Sequence, residues 1–456
     1  MTSFRTFTRQ HQSKIKREKQ IKLRKHLNAD VLIKKTVKGG FAGIKDHRTE
    51  NVGISLTDTL MSGFAMFSLK DPSLLAFDER RVASPSNLMT IYGIGKIPCD
   101  TSMREILDGV DPNALRPLFK DAFRQLQRGK ALEQMVFMEE SYLLNLDGTG
   151  YFSSNKLYSD ACLKKKNSKT GKITYYLQTV GAALVHPDCK EVIPLCPEMI
   201  VKQDGESKND CERNAIRRFL KKLRQEHPHL KLIVNEDALS SNAPHIKDLE
   251  KYNLHYILGV KEGDHQFLFQ FVEYAVDGGE AIELAIDDEK KSDIRHYFRI
   301  VHDAPLNKSN QNSLVTFVEY WEHNIKTDVK KHFSWVTDLN INEDNVYKFM
   351  RGARARWKIE NETFNTLKNQ GYNFGHNYGL GKHHLSEVFV MLMMLAFLID
   401  QILQLCCPLF NAAWKKWKTK RSLWEKVRSK FHEFNIESME DLYHSLLEHK
   451  PIPLPK

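Results

Sequence analysis

The chain predicts an α/β protein, with a helical N-terminal part ahead of a mixed sheet, and three observations carry that reading. At residue 141 the helical spacing of apolar residues gives way to strand-like runs. Beyond it the order is three strands, helix, strand, helix, strand. A β-rich stretch then fills residues 262–340, after which a helical pattern returns.

The elements follow in order. Between residues 5 and 38 twelve Lys or Arg stand against two acids, Glu18 and Asp30, which suits a basic arm or short helix that contacts DNA or simply solubilises. Residues 53–77 and 103–132 have helical periodicity, punctuated by Gly93, Gly95, Pro98 and Pro112. Residues 142–146 read as a strand that Asp147-Gly148-Thr149 closes. A hairpin follows, with strands at 174–185 and 191–195 around the turn His186-Pro187-Asp188-Cys189-Lys190. Asp210 suits the cap of a helix running to Leu223, whose outer face carries Arg213, Arg217, Arg218, Lys221 and Lys222. Residues 230–234 form an apolar strand ending toward Asp237; Asn242 and Pro244 open another helix, and 255–260 return as a strand. Three antiparallel strands followed by alternating helices and parallel strands is the layout of a ribonuclease H-like sheet. Within the β-stranded insertion, strands are expected at 267–272, 296–301, 314–320 and 332–336, with polar linkers at 279–293 and 307–312. One long helix is expected over 342–370.

The corresponding division is 1–140, basic arm and helical DNA-binding domain; 141–261, first part of the core; 262–340, insertion; 341–405, closing helices of the core. Residues 406–456 form a tail available for dimerisation or DNA contacts.

Composition narrows the partners. With 41% hydrophobic and 27% charged residues over 456 positions the chain has material for a large core, which excludes wholesale disorder. A net charge of +11 favours a polyanion, since a basic surface gains affinity by releasing counterions. The first 25 residues lack an apolar signal segment, so a cytoplasmic, nucleoid-associated protein is expected. The apolar run 388–399 ends at Asp400, too short for a bilayer, and reads as a buried helix rather than a membrane anchor. Seven cysteines without a C-x-x-C pattern suit reduced thiols.

The chemistry concentrates on Arg356-Trp357-Lys358-Ile359-Glu360-Asn361-Glu362, continuing to Lys368. On a helix Arg356 and Glu360 share a face, while Trp357, Phe364, Ile359 and Leu367 can look toward a core. Standing alone this would be an ordinary surface ion pair. The first and fourth strands of a ribonuclease H-like sheet are neighbours, however, so Asp147 and Asp237 can meet beneath Glu360. Crowded carboxylates need cations, and a hard oxygen set selects Mg²⁺ or Mn²⁺. Two such ions activate an attacking oxygen and stabilise the leaving one in phosphodiester chemistry.

Across residues 142–368 the chain resembles a cut-and-paste DDE transposase of bacterial insertion sequences, in the group with a Tyr-Arg-Glu-Lys signature. The carriers are Asp147-Gly148-Thr149, Asp237-Ala238-Leu239 and Arg356-Trp357-Lys358-Ile359-Glu360, with the β insertion falling between Asp237 and Glu360. The resemblance implies Asp147, Asp237 and Glu360 as catalytic residues and ligands of two metal ions. It implies Arg356 on a DNA phosphate, Lys368 positioning the element end, and Phe333 or Trp335 stacking on a flipped base. Double-stranded DNA, at element ends and target, would be the substrate, and a homodimer would form the synaptic complex.

The chain departs from the signature at two places. Its tyrosine position is Ala353, and its lysine, expected at Leu367, is offered at Lys368. One residue rotates a side chain about 100° on an α-helix, so a role for Lys368 requires a local distortion. The alternatives are a catalytically inactive, transposase-derived DNA-binding protein and a ribonuclease H-like nuclease or resolvase. Glu362 and Glu236 are weaker ligand candidates. His376, His383 and His384 lie in a glycine-rich loop without zinc-ligand spacing.

Overall fold

The computed structural model describes residues 23–49, 52–201, 211–288 and 291–448. The first 22 residues of the basic arm, Asp210 as a helix cap and the proline-rich end at 451–455 fall outside these. The α/β class holds: helices surround one mixed, eleven-stranded sheet.

Its strands are β1 (Tyr142–Ser154), β2 (Leu163–Lys166), β3 (Ile173–Val185), β4 (Ile193–Pro194), β5 (Glu198–Ile200), β6 (Leu232–Glu236), β7 (His255–Gly259), β8 (Ile282–Asp287), β9 (Ile294–Pro305), β10 (Leu314–Asn324) and β11 (Val329–Thr337). The order across the sheet is β2-β3-β1-β6-β7-β11-β10-β9-β8, with β4 and β5 also paired to β3. β1, β6 and β7 run parallel, joined by crossovers through helices Glu212–Glu226 and Ala243–Lys251. Such strands are covered on both faces, which is why Leu143, Leu144, Ile233, Val234, Ile257 and Leu258 form apolar runs without alternation. Asn242 opens Ala243–Lys251 as expected, its side chain accepting a hydrogen bond from the His245 amide.

The β-rich segment is an extension of this sheet. β11 pairs antiparallel with β7, matching Trp335 to Gly259 and Thr337 to Ile257, and β10, β9 and β8 continue outward. Three local expectations need correction. Residues 267–272 belong to helix Gln266–Asp277, whose buried Leu268, Val272 and Ala275 are spaced four and three apart; the alternating Phe267, Phe269 and Phe271 imitate a strand. The linker expected at 279–293 contains the edge strand β8, where Ile282, Leu284 and Ile286 alternate with exposed residues. The long helix at 342–370 is broken into Val346–Arg354, a π-helical turn Ile359–Phe364 and Asn365–Asn369.

Helix Leu385–Cys406 runs through the middle of the helical part. It is 22 residues long and apolar enough to cross a membrane by length and composition, yet nearly all of it is buried. Helices Leu56–Leu69, Asp100–Asp108 and Arg116–Arg128 pack on it from the N-terminal side and Pro408–Trp417 from the C-terminal side. The segment after residue 406 is helical, with Lys420–Glu433 and Met439–Leu447 following. Asn87 ties it to the N-terminal helices by donating to the Phe431 and Phe434 carbonyls and accepting from the Ile436 amide.

One ion pair joins all three regions. Lys70, whose side chain has no exposed surface, is bound to Asp400 on the central helix, and the Tyr372 hydroxyl donates to the same carboxylate. The Lys70 ammonium stands 3.8 Å from the Trp424 ring centre and 4.7 Å from that of Tyr372. Burial holds the Lys70 pKa below its ordinary value, against the pull of Asp400. Removing one partner leaves the other as an uncompensated buried charge, so Asp400→Ala should lower unfolding free energy by about 3–5 kcal/mol. Asp121→Ala, which breaks the exposed pair with Arg124, should cost less than about 1 kcal/mol. Urea denaturation of both variants checks the contrast.

Candidate active site

The parallel register of β1 and β6 sets Asn145 opposite Asn235. Two residues further along each chain bring Asp147 and Asp237 to the same level at the carboxyl end of β6. Asp147 does not close its strand as expected, because β1 continues to Ser154; it sits where β1 leaves its parallel partner. Asp237 follows β6, and its carboxylate accepts from the Leu239 amide at 3.0 Å, capping the short turn Ala238–Ser240.

The two asparagines fix what lies above. Both are fully buried, and their side-chain amides point at the end of helix Val346–Arg354. Asn145 donates to the Ala355 and Arg356 carbonyls at 2.8 and 3.1 Å, and Asn235 to those of Gly352 and Ala353 at 3.1 and 3.3 Å. These carbonyls lie at a helix end, where the backbone offers them only short i to i+3 bonds and leaves each a free acceptor position. Beyond them the chain tightens, with Lys358 N donating to Ala355 O and Ile359 N to Arg356 O, then widens into the π-helical turn Ile359–Phe364.

That turn carries Glu360, ends ahead of Lys368 and absorbs one extra residue. Lys368 consequently reaches back over β1, its Nζ donating to Thr149 Oγ1 at 2.8 Å. Phe364 anchors the turn on the sheet over Gly181, the cross-strand partner of Asp147; a Cβ at Gly181 would stand 2.6 Å from the ring. Ile359 and Leu367 are buried as expected, whereas Trp357 turns outward and is 44% exposed.

Arg356 stands between the acids. Its Nη1 lies 2.9 Å from Glu360 Oε1 and 3.8 Å from Asp147 Oδ2. A fourth carboxylate, missed in the sequence, comes from Glu212, the first residue of helix Glu212–Glu226. It lies so close to β1 that a Cβ at Gly148 would be 2.3 Å from Glu212 Oε2. The only available signal was its place on the first turn of a helix crossing from β5 to β6. Burial pushes the Asp147 carboxyl up to about 6, opposed by Arg356 and reinforced by Glu360 and Asp237. Burial, then the charges of Asp147, Asp237 and Glu236, push Glu212 up to about 7.

The remaining candidates separate clearly. Glu236 is buried and turned away, taking His245 Nε2 at 2.5 Å and Ser240 Oγ at 3.0 Å. Trp335, 6% exposed, packs against Phe349 and Tyr320, which removes it as an open stacking platform. Phe333 is half-buried, with the Arg354 guanidinium 5.0 Å from its ring centre. The loop bearing His383 and His384 is a capping turn: the Asp108 carboxylate accepts from the amides of Lys382, His383, His384 and Leu385.

Among the described residues, no three acidic, histidine or cysteine side chains stand close enough together to hold a metal ion as placed. The donor set is nonetheless all carboxylate oxygen, the chemistry hard divalent cations select, and Arg356 supplies the positive charge. No protein-family model matches the chain, and no curated protein matches it at a significant level.

Asp147 and Glu212 bind protons more tightly folded than unfolded, since both pKa values are raised from 3.8 and 4.5. Their contribution to stability therefore falls as pH rises from about 4 to about 7 and stays lost above that. Glu212→Gln should flatten this dependence and raise the melting temperature at pH 8 relative to wild type. Melting curves from pH 5 to pH 8 check it; an unchanged slope in Glu212→Gln would rule out the crowding.

Proposed function

We propose that the protein is a DNA transposase with a ribonuclease H-like core, acting on the terminal inverted repeats of its own mobile element. The observation that carries this reading is the stacking of Asp147 and Asp237, by strand register, beneath the helix bearing Glu360. The π-helical turn adds support, because it supplies the distortion that Lys368 needs to face the same site.

In this reading Asp147, Asp237 and Glu360 hold two divalent ions, Mg²⁺ or Mn²⁺, whose chemistry when bound is to activate the attacking oxygen and stabilise the leaving one. Arg356 exchanges its carboxylate partners for a DNA phosphate, which an arginine grips through two parallel hydrogen bonds. Lys368, held by Thr149 beside Asp147, positions the element end. Glu212, with its carboxyl pushed up to about 7 by burial and the neighbouring acids, lies against the β1 backbone at Gly148. Water attacks first and frees a 3′-hydroxyl at each element end; that hydroxyl attacks the opposite strand, closing a hairpin and releasing the flanking DNA. A second water reopens the hairpin and restores the 3′-hydroxyl, and this hydroxyl then attacks the target strand, displacing a target 3′-oxygen. Two ends must be held together, so the working species is at least a dimer on double-stranded DNA.

A second reading, a non-catalytic DNA-binding descendant, is favoured by one observation: Ala353, at the signature's tyrosine position, is buried and has no hydroxyl to offer.

The test is cleavage of duplexes carrying the element's own ends with Mg²⁺ present. Asp147→Asn, Asp237→Asn and Glu360→Gln should each reduce cleavage by at least about a thousandfold while leaving end binding intact. A wild-type protein that leaves the ends uncut, with Glu360→Gln behaving identically, would sink the enzyme reading. Binding without cleavage would favour the non-catalytic descendant, and preference for branched DNA or hybrids would favour a ribonuclease H-like nuclease or resolvase.

A further inference from the structure

Between residues 414 and 430 there are eight Lys or Arg and one acid, Glu425. Folding turns this stretch into a surface with a definite order. Trp414, near the end of helix Pro408–Trp417, has the Lys190 ammonium 5.5 Å from its ring centre and that of Lys420 at 5.6 Å. Trp417 has Lys416 at 5.5 Å and Lys426 at 5.3 Å. Lys415, Lys418, Arg421 and Lys426 are exposed. None of these six lysines or Arg421 takes part in an ion pair among the described residues.

This run begins at the candidate active site. Lys190 belongs to the turn between β3 and β4, and its neighbour Cys189 accepts a hydrogen bond from Lys358 Nζ at 2.6 Å. Lys358 directly precedes the π-helical turn, and the exposed Trp357 beside it has that ammonium 5.6 Å from its ring. Burial holds the Lys420 pKa below its ordinary value, against the charge of Glu362 on the same turn. Indoles and ammonium groups thus lead from Trp357 through Lys190, Trp414 and Lys420 to Trp417 and Lys426.

Arginines on the inserted strands are answered by acids. Arg299 is engaged by Glu273, Glu283 and Glu319, and Arg295 by Asp287. The C-terminal run is left unanswered, and its lysines are spread along helices instead of gathered round a pocket. Unpaired cations in a line suit a regularly charged rod, which gains affinity by shedding counterions.

We propose that this face is a second contact for duplex DNA, gripping the phosphate backbone of the stretch beyond the position bound at Asp147, Asp237 and Glu360. The assignment rests on the transposase reading for what the DNA is. The contact itself does not require catalysis. The rings of Trp414 and Trp417 sit beside the ammonium groups of Lys190, Lys416, Lys420 and Lys426, so these charges are presented with little further loss of side-chain freedom.

Fluorescence anisotropy with the full chain and a duplex of about 40 base pairs, titrated with salt, reads the contact directly. Lys415→Ala/Lys418→Ala/Arg421→Ala removes three exposed charges. It should weaken binding at least tenfold at about 0.1 M salt and reduce the log–log salt slope by about 2 to 3. Lys247→Ala/Lys261→Ala/Lys308→Ala, three exposed lysines outside the run, should leave the slope near wild type. Equal melting temperatures for the two triple variants exclude misfolding as the cause. Binding by the first triple variant with an unchanged salt slope overturns the proposal. So does loss of binding to phosphatidylserine-containing vesicles with duplex binding intact, which would assign the face to a membrane surface. Cleavage by the wild type, assayed beside the titration, separates the readings: a salt slope that falls in the first triple variant of a protein whose wild type never cuts leaves this contact standing and the transposase reading fallen.

Discussion

Two buried asparagines hold the candidate site in shape. Asn145 and Asn235 stand side by side on parallel strands and donate to four carbonyls at the end of helix Val346–Arg354. Each of those carbonyls also accepts one backbone amide in the tight turn, and the asparagines fill its second acceptor position, at about 0.5–1.5 kcal/mol for each bond. With them, the helix stops above the sheet and the chain re-enters as a tight turn followed by a π-helical one. Arg356, Glu360 and Lys368 therefore owe their places to an interaction two residues below the aspartates.

The electrostatics follow from that geometry. Four carboxylates come near one another at the edge of the sheet, Asp147 and Glu212 half-buried and Asp237 and Glu360 exposed. The fold answers with one guanidinium, Arg356, and with raised proton affinity at Asp147 and Glu212. Arg356 and Lys368, the latter held at Thr149, are outnumbered by four acids, so the site has a standing demand for positive charge. It is a demand that protons meet at low pH and that hard divalent cations would meet at neutral pH.

Much of this was legible in the sequence, for identifiable reasons. The apolar runs around Leu143, Val234 and Leu258 mark parallel strands because both faces are covered, and they fix the order that brings Asp147 to Asp237. The register was not legible, since it depends on pairing and not on composition. Glu212 was hidden because its position is set by the close packing of a helix against Gly148, where the absence of a side chain admits the carboxylate. The break in the helix at Ala355 and the π-turn were equally hidden, for they arise from asparagines more than a hundred residues away. Helix Gln266–Asp277 was misread because alternate phenylalanines gave a period of two over a segment whose buried residues follow a helical one.

The sheet also constrains what the inserted strands can do. β11 pairs directly with β7, and Gly259 at the end of β7 lies so near the Asp237 turn that a Cβ there would be 3.3 Å from the Ala238 amide. The inserted strands are thus one strand removed from the Asp237 backbone, bonded edge to edge, with no linker between. A hinge at that boundary would have to break the β7–β11 ladder and expose Trp335 and Val336, both buried. Anything held by β9, β10 or β11 is therefore held at a fixed distance from Asp237. Adjustment of the site is left to the side chains of Arg356 and Lys368, and to the π-helical turn between them.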